Sequence, residues 1–190
     1  EPGRLVTNGM SQYSRNEKNA NAAIVVDISP DDYPGEPLAG IGFQRQLEQK
    51  AFELGGSNYN APCQLVGDFL KDKASTTLGS VVPSYTPGVT PCNLADALPN
   101  FAIEALREAI SAFERSIPGF SMHDAVLTGT ETRTSSPVKI MRNRDDLQSV
   151  NIRGLYPAGE GAGYAGGILS SAVDGIEVAE AIARDIAGVK

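Results

Sequence analysis

Apolar residues recur at helical spacing in three parts of the chain. The first predicted helix spans residues 38–54 and ends at Gly55-Gly56, because glycine readily adopts the left-handed backbone that closes a helix. The second opens at Pro99 and stops before Pro118-Gly119. The third spans about residues 166–186 and has a wide apolar face. The stripe of the second helix comprises Ile103, Leu106, Ile110, Phe113 and Ile117.

Short runs of apolar and β-branched residues predict strands at residues 22–28, 125–132 and 138–141, and a further short strand is expected at residues 154–158, just before the glycines. A short helix is predicted from Pro62, with Leu65, Val66 and Phe69 directed inward. Residues 72–93 are rich in Ser, Thr and Pro, which is typical of either an ordered excursion or a flexible arm. These elements together predict an α+β fold. The chain changes character at Asp124, so residues 1–123 and 124–190 are expected to form separate parts.

A glycine-rich turn lies between the last predicted strand and the last helix. Residues 161–166 read Gly-Ala-Gly-Tyr-Ala-Gly and satisfy the spacing G-x-G-x-x-G. Glycine lets a ligand approach the backbone, and free N–H groups at the start of a helix favour a phosphate or an electron-rich carbonyl. A complete dinucleotide-binding unit also needs a second parallel strand after the helix. The chain stops at Lys190, so this turn is not the opening unit of a nucleotide-binding fold.

The apolar face of the last helix is wider than the predicted strands can cover. A helix of this kind packs closely against a sheet of several strands. We therefore expect its partner sheet to lie outside the chain. The chain begins at Glu1 without Met, and this start is expected to be a cut.

Composition and charge exclude several classes of function. The 190 residues carry a net charge of −7, and no Lys/Arg cluster offers the positive surface that nucleic acids require. One histidine and two distant cysteines, Cys63 and Cys92, leave no set of ligands for zinc. Both cysteines are expected to be reduced structural thiols in a cytoplasmic protein. Neither a membrane span nor a signal peptide is predicted.

The glycine turn and two further segments carry a family resemblance. The run GLYPAGEGAGYAGGI at residues 154–168, continuing through Ala172-Val173-Asp174-Gly175, resembles the C-terminal flavin motif of bacterial FAD-dependent dehydrogenases. The segments LVTNGMS at residues 5–11 and TETRTSSP at residues 130–137 extend the resemblance over nearly the whole chain. In this family of two-domain flavoproteins, a cap domain interrupts a nucleotide-binding domain.

The resemblance implies a domain arrangement and a cofactor. Residues 1–123 would be most of a cap or substrate domain, with helices and extended strands. Residues 124–190 would be the C-terminal strand–glycine turn–helix that completes an α/β FAD-binding domain. The N-terminal half of the parent chain, absent here, would hold the adenine, ribose and pyrophosphate of FAD. We therefore expect FAD in the full-length parent, and neither FAD nor activity in the fragment alone.

The resemblance also implies individual roles in binding FAD. Gly159 and Glu160 would flank the ribityl–pyrophosphate end of the cofactor. The backbone N–H groups of residues 161–167 would lie beside the flavin ring. The predicted cofactor-binding residues are Gly159, Glu160, Gly161, Ala162, Gly163, Tyr164, Ala165, Gly166 and Gly167. No metal site is predicted.

Each of these residues also has a simpler structural interpretation. Glu160 could merely complement the helix dipole. Tyr164 could stack near a ring or plug the turn. Arg133 is the candidate to reach substrate or flavin, but such an arginine commonly pairs with a surface carboxylate. His123 is interpreted as solvated. Ser135 and Ser136 are interpreted as turn residues, because no base is placed beside them.

The favoured hypothesis is a fragment of an FAD-dependent oxidoreductase whose parent transfers hydride between an unidentified small molecule and flavin. The alternative is a non-catalytic binding module, in which the glycine turn holds an anion or a partner. The two differ in an observable property, because only the first predicts a flavin absorbance in the parent protein.

Overall fold

The computed structural model describes residues 1–189. Its elements are the helices α1 (Ala39–Leu54), α2 (Val66–Phe69), α3 (Asn100–Ser116) and α4 (Ile168–Ala187), and the strands β1 (Ala61–Leu65), β2 (Val89–Pro91) and β3 (Val126–Thr128). Short 3-10 turns occupy Pro30–Asp32 and Leu94–Asp96. Helices therefore accompany one small sheet, and the α+β class predicted from the sequence is confirmed.

The sheet has the strand order β2-β1-β3. Strand β1 pairs in parallel with β2 and antiparallel with β3, so the sheet is mixed. All five residues of β1 are buried, as expected for the central strand of a covered sheet.

The chain divides into two compact units. The first contains Glu1–Asp32 and Phe43–Thr132, and the second contains Tyr33–Gly42 and Arg133–Lys190. All three strands, α2 and α3 belong to the first unit, and α4 belongs to the second. The assignment of residues 1–123 to a cap domain and of 124–190 to an FAD-binding domain stays a prediction.

The core of the first unit forms where α2 and α3 bury their apolar residues together. Val66, Phe69, Ile103 and Ile110 make one buried cluster, and partly buried Leu127 of β3 packs against it. The stripe predicted for α3 thus supplies the core, although Phe113 and Ile117 at its C-terminal end are exposed.

Two of the segments that carry the family resemblance meet in the first unit. The backbone N–H of Thr7 donates to the carbonyl oxygen of Thr130 at 3.0 Å. The Oγ1 hydroxyl of Thr132 donates to the carboxylate of Glu48 at 3.1 Å, and Glu48 is only 1% exposed. Leu5, Thr7 and Thr130 are buried, so part of each segment lies in the interior of this unit.

Three of the four predicted strands are absent from the part of the chain that the structure describes. Residues 22–28, 138–141 and 154–158 form no strand, and only Val126–Thr128 survives from the predicted strand at 125–132. β-branched composition favours an extended backbone, but a strand also needs a neighbouring strand to take its hydrogen bonds. Among the described residues, the three segments pair with no strand, although single backbone hydrogen bonds reach two of them, such as the one from Ile140 to Ala162.

The short helix predicted from Pro62 begins later in the structure. Residues Ala61–Leu65 form β1, and the helix starts only at Val66. A short, fully buried apolar run has no periodicity that separates a strand from a helix, which explains the error. The inward residues Leu65, Val66 and Phe69 are buried as predicted.

The excursion at residues 72–93 is held in place along its length. Ser75 is 2% exposed, its backbone N–H donates to the carbonyl oxygen of Cys92, and its hydroxyl donates to Asp68 at 2.8 Å. Strand β2 closes the segment. These contacts favour the ordered excursion over the flexible arm.

Helix α4 buries little of its surface in the second unit. Asp174, Val178 and Ala181 are its buried residues. Its large apolar residues are exposed: Ile168, Leu169, Val173, Ile176 and Ile186. Despite this apolar character, no helix among residues 1–189 is long and apolar enough to cross a membrane.

Candidate functional site

The glycine turn at residues 159–167 leads directly into α4. Gly159 and Gly163 have positive φ angles of 70° and 80°, a conformation that other L-residues adopt at a cost. Two backbone hydrogen bonds close the turn: the N–H of Tyr164 donates to Gly159 at 3.0 Å, and the N–H of Gly163 donates to Glu160 at 2.9 Å. The turn thus has a definite shape of its own.

One side of the turn packs against residues 138–140 of the same unit. The N–H of Ile140 donates to the carbonyl oxygen of Ala162 at 3.1 Å, and Ala162 is 6% exposed. A Cβ atom at Gly163 would lie 2.9 Å from the carbonyl oxygen of Val138 and 3.1 Å from the Cα of Lys139. Gly163 is therefore required by packing within the chain.

The other side of the turn is open. Cβ atoms at Gly161 and Gly166 would meet no atom within 4 Å. Among residues 1–189, no partner accepts a hydrogen bond from the backbone N–H groups of Gly161, Gly166 or Gly167. Gly167 is also the N-cap of α4, so it lies at the N-terminal end of the helix, which is the positive end of the helix dipole. The open side can accept an anionic or electron-rich group.

A buried ion pair supports the turn from within the unit. The guanidinium of Arg142 and the carboxylate of Asp174 lie 2.5 Å apart, and their side chains are only 8% and 10% exposed. Asp174 also accepts the backbone N–H of Gly159 at 2.7 Å, and Arg142 donates to the carbonyl oxygen of Pro157 at 2.7 Å. The pair thus holds the backbone at Pro157 and Gly159, where the chain enters the turn.

The charge of Asp174 is stabilised by these contacts. The hydrogen bond from Arg142, followed by the one from the Gly159 backbone, lowers the pKa of Asp174 below its usual value, although burial opposes the shift. Asp174 is therefore ionised at neutral pH, and both of its contacts are charge-assisted hydrogen bonds.

Tyr164 plugs the turn. Its ring has the guanidinium of Arg142 at 3.7 Å and the ammonium of Lys139 at 4.3 Å from its centroid. Its hydroxyl accepts the backbone N–H of Arg142 at 3.0 Å. Of the two roles considered for Tyr164, these contacts favour the structural one, since the ring is held by cations of its own unit.

Glu160 lies exposed at the start of the helix. Its carboxylate accepts a hydrogen bond from the hydroxyl of Ser171, on the first turn of α4, at 3.3 Å. The contact suits the dipole-complementing interpretation, and the exposed carboxylate also remains accessible to a ligand.

The remaining candidates lie apart from the turn or have structural contacts. Arg133 is exposed at the start of the second unit's main segment. The hydroxyl of Ser136 donates to the carbonyl oxygen of Val138 at 2.7 Å, as a turn residue would. His123 is exposed, in agreement with its interpretation as solvated, and its ring lies beside Gly67 in the first unit.

The cysteines have the properties of structural thiols. Both are free, and they lie on neighbouring chain segments, where the backbone N–H of Cys92 donates to the carbonyl oxygen of Cys63 at 2.8 Å. Burial, and then the nearby Cys92, raise the pKa of Cys63 to about 11. Burial also raises the pKa of Cys92. Neither thiol is activated as a nucleophile at neutral pH.

Two important residues of the site were missed by the reasoning from sequence. Arg142 begins a charged stretch of sequence that is typical of a surface turn, but its side chain is buried. Asp174 was quoted only as part of the family motif. Asp174 is one of four carboxylates in the last helix, with Glu177, Glu180 and Asp185, and only the structure distinguishes it as the buried one. A buried charge in such a place needs a cationic partner.

Comparison with known proteins establishes the family. Residues 1–134 match the family described as FAD-dependent protein, C-terminal domain-like, and the chain belongs to this family. The match covers the first unit, whereas the glycine turn lies beyond it. The fold and the family together define a domain related to flavoproteins.

A bacterial relative extends the comparison to nearly the whole chain. An uncharacterized protein of Clostridium beijerinckii is 57% identical over 183 residues, which cover 96% of this chain. The same residues cover 34% of that protein, so the chain spans about a third of the length of the relative.

Proposed function

We propose that this chain is the C-terminal part of an FAD-dependent oxidoreductase, and that its glycine turn forms one wall of the flavin site. The observation that carries the proposal is the open side of the turn. There, Gly161 and Gly166 leave space above the backbone, and N–H groups stand without partners among the described residues. Membership of an FAD-dependent family supports FAD as the ligand.

The residues of the turn fit the part of FAD that carries the ring. Unpartnered N–H groups at the positive end of α4 would stabilise negative charge on a reduced ring. When bound, FAD supplies the hydride-transfer chemistry, which protein side chains alone cannot perform. The contribution of this chain is to orient the ring and to donate backbone hydrogen bonds, with no side-chain nucleophile.

The residues before the ring site have a different role in the proposal. Gly159 and Glu160 would lie towards the ribityl–pyrophosphate end. The N–H of Gly159 is taken by Asp174, so Gly159 would act through the shape of the backbone and not as a donor to the cofactor. Glu160 keeps an exposed carboxylate for a ribityl hydroxyl. Arg133 is the candidate to contact the substrate.

The rest of the flavin site would come from the N-terminal part of a longer polypeptide. The length of the bacterial relative supports this proposal. The exposed apolar residues of α4 support it too, because a sheet from that part would bury them. Residues 1–123 would then be most of a cap that closes over a small-molecule substrate. The acidic chain and its free cysteines favour the cytoplasm as its compartment.

Two glycine substitutions in the full-length polypeptide test the proposal. We expect the wild-type protein to be yellow and to release about one FAD per chain on denaturation. Gly161→Ala and Gly166→Ala should each lower the FAD content, because a methyl group would project into the space assigned to the ring. The matched control is Gly42→Ala, on an exposed part of α1 outside the glycine turn, with nothing within 4 Å of the added Cβ.

The outcome separates the two functional hypotheses. A colourless wild-type protein that does not take up added FAD would refute the flavin proposal and favour a binding module. A yellow protein whose FAD content is unaffected by both substitutions would retain the flavin but remove the glycine turn from its site.

A further inference from the structure

The Arg142–Asp174 ion pair is buried in the second unit and contacts the start of the glycine turn at Gly159. Its side chains are about nine-tenths buried, and its hydrogen bonds are directed to the backbone of Pro157 and Gly159 and to Asp174 itself. Neither side chain comes within 4 Å of a Cβ atom built at Gly161 or Gly166, on the open side of the turn. The pair therefore has the contacts of a support.

Three links connect this pair to the turn. Asp174 holds the N–H of Gly159, the first residue of the turn, at 2.7 Å. Arg142 holds the carbonyl oxygen of Pro157, two residues earlier. Arg142 also stacks on the ring of Tyr164 and donates its backbone N–H to the Tyr164 hydroxyl. The first residue of the turn and Tyr164 in its interior are thus both tied to one ion pair, formed by Arg142 and Asp174.

We propose that Arg142 and Asp174 are positioning residues for the flavin, which fix the glycine turn in the conformation that receives the ring. The inference rests on the proposed function for its ligand, but the effect on the turn itself does not depend on any ligand. Replacing either residue leaves the other as an unpaired buried charge, which the unit relieves by rearranging the chain around it. The glycine turn is the segment that these two residues contact most directly.

The expected consequence is a loss of flavin affinity. In the full-length protein, Arg142→Ala should raise the Kd for FAD about tenfold, the effect of losing one charge-assisted hydrogen bond at a preorganised site. Asp174→Asn should have a smaller effect, because the amide oxygen can still accept the Gly159 N–H. The double variant should be no worse than Arg142→Ala alone, since the two residues act as one unit.

Two controls on the same helix separate positioning from general stability. Glu180→Gln breaks the exposed ion pair with Arg184, whose side chains are more than 60% exposed, and should leave the Kd unchanged. Val178→Ala removes methyl groups from a buried residue 5% exposed, so it should lower the melting temperature without a comparable change in Kd.

The deciding measurement is amide hydrogen exchange in the flavin-free, full-length protein, compared between wild type and Arg142→Ala. We expect faster exchange confined to the peptide that contains Gly159, Gly163 and Tyr164, and a normal rate in the first unit. Unchanged exchange in that peptide would overturn the inference whether or not the protein binds FAD. Altered exchange with a wild type that never binds FAD would refute the proposed function alone. Altered exchange with an unchanged Kd would overturn the link to the flavin.

Discussion

The glycines of the turn meet two different physical requirements. Gly163 has a positive φ and lies against the backbone of residues 138–139, so a side chain there is both strained and obstructed. Gly161 and Gly166 have neither constraint within the chain. Glycine lowers the stability of a fold because the unfolded chain has more freedom at that position, and the proposed flavin ring would account for its use at Gly161 and Gly166.

Substitution by alanine should separate these two groups in the isolated chain. Gly163→Ala should lower the free energy of unfolding by about 1–2 kcal/mol or more, from the left-handed backbone together with the close contact to Val138. Gly166→Ala should change it by less than about 0.5 kcal/mol. Urea unfolding measures both. Equal losses at the two positions would mean that the open side of the turn is not open.

Asp174 should make the second unit sensitive to acid. Its pKa is lowered in the folded chain, so its contribution to stability is complete above the ordinary aspartate value of 3.8 and is lost as the pH falls through the folded pKa. Wild type and Asp174→Asn should therefore differ most in free energy of unfolding near pH 7, and the difference should shrink as the pH falls below 3.8. A difference that stays constant from pH 7 to pH 3 would show that the charge is not what stabilises the turn.

The glycine turn could be predicted from the sequence, but the Arg142–Asp174 ion pair that holds it could not. The glycine spacing and its place before a helix are local features, so residues 159–167 could be identified directly. Arg142 and Asp174 are 32 positions apart, and their pairing depends on how the chain returns on itself. Nothing local marks Arg142 as buried, since it opens a segment rich in charged residues.

Among the elements of secondary structure, α4 leaves most of its large apolar side chains exposed. Its buried residues number only Asp174, Val178 and Ala181, while Ile168 and Leu169 are more than 80% exposed. Apolar surface of this extent along one helix marks an interaction surface. The proposed occupant is the sheet of the N-terminal part of the longer polypeptide.

The effect of truncating α4 should depend on the length of the polypeptide. Ile176 is 61% exposed, so Ile176→Ala should cost less than about 0.5 kcal/mol in the isolated chain. In the full-length protein, where the proposed sheet covers it, the same change should cost about 2–5 kcal/mol. Val178→Ala is the control that should destabilise both forms. Thermal or urea unfolding of the four variants makes the comparison, and equal small costs for Ile176→Ala in both forms would refute the covering sheet.

The helices were more predictable than the strands, for a physical reason. A helix satisfies its hydrogen bonds locally, so the periodic residues and stop signals of α1, α3 and α4 sufficed to predict them within a few residues. A strand depends on partners elsewhere. Residues 22–28 and 154–158 have suitable composition but no partner among the described residues, whereas the proline-containing β1 has partners on both sides.

At the scale of the whole molecule, the family and the turn concern different units. The family match ends at residue 134, and the glycine turn lies in the second unit. The relative that covers nearly the whole chain is much longer than the chain. We therefore propose that the chain carries one wall of a flavin site, and that the remaining walls belong to another part of the same polypeptide.

The most direct test is to measure how many FAD molecules each chain binds. The measurement is made in parallel on residues 1–190 alone and on the full-length polypeptide. Both proteins are incubated with excess FAD, passed through gel filtration, and denatured to release the flavin for quantification by absorbance. We expect about one FAD per full-length polypeptide and almost none for the isolated chain, because contacts to the adenine and pyrophosphate supply most of the affinity. An isolated chain that retains about one equivalent would contradict the account, as would a full-length protein that retains none.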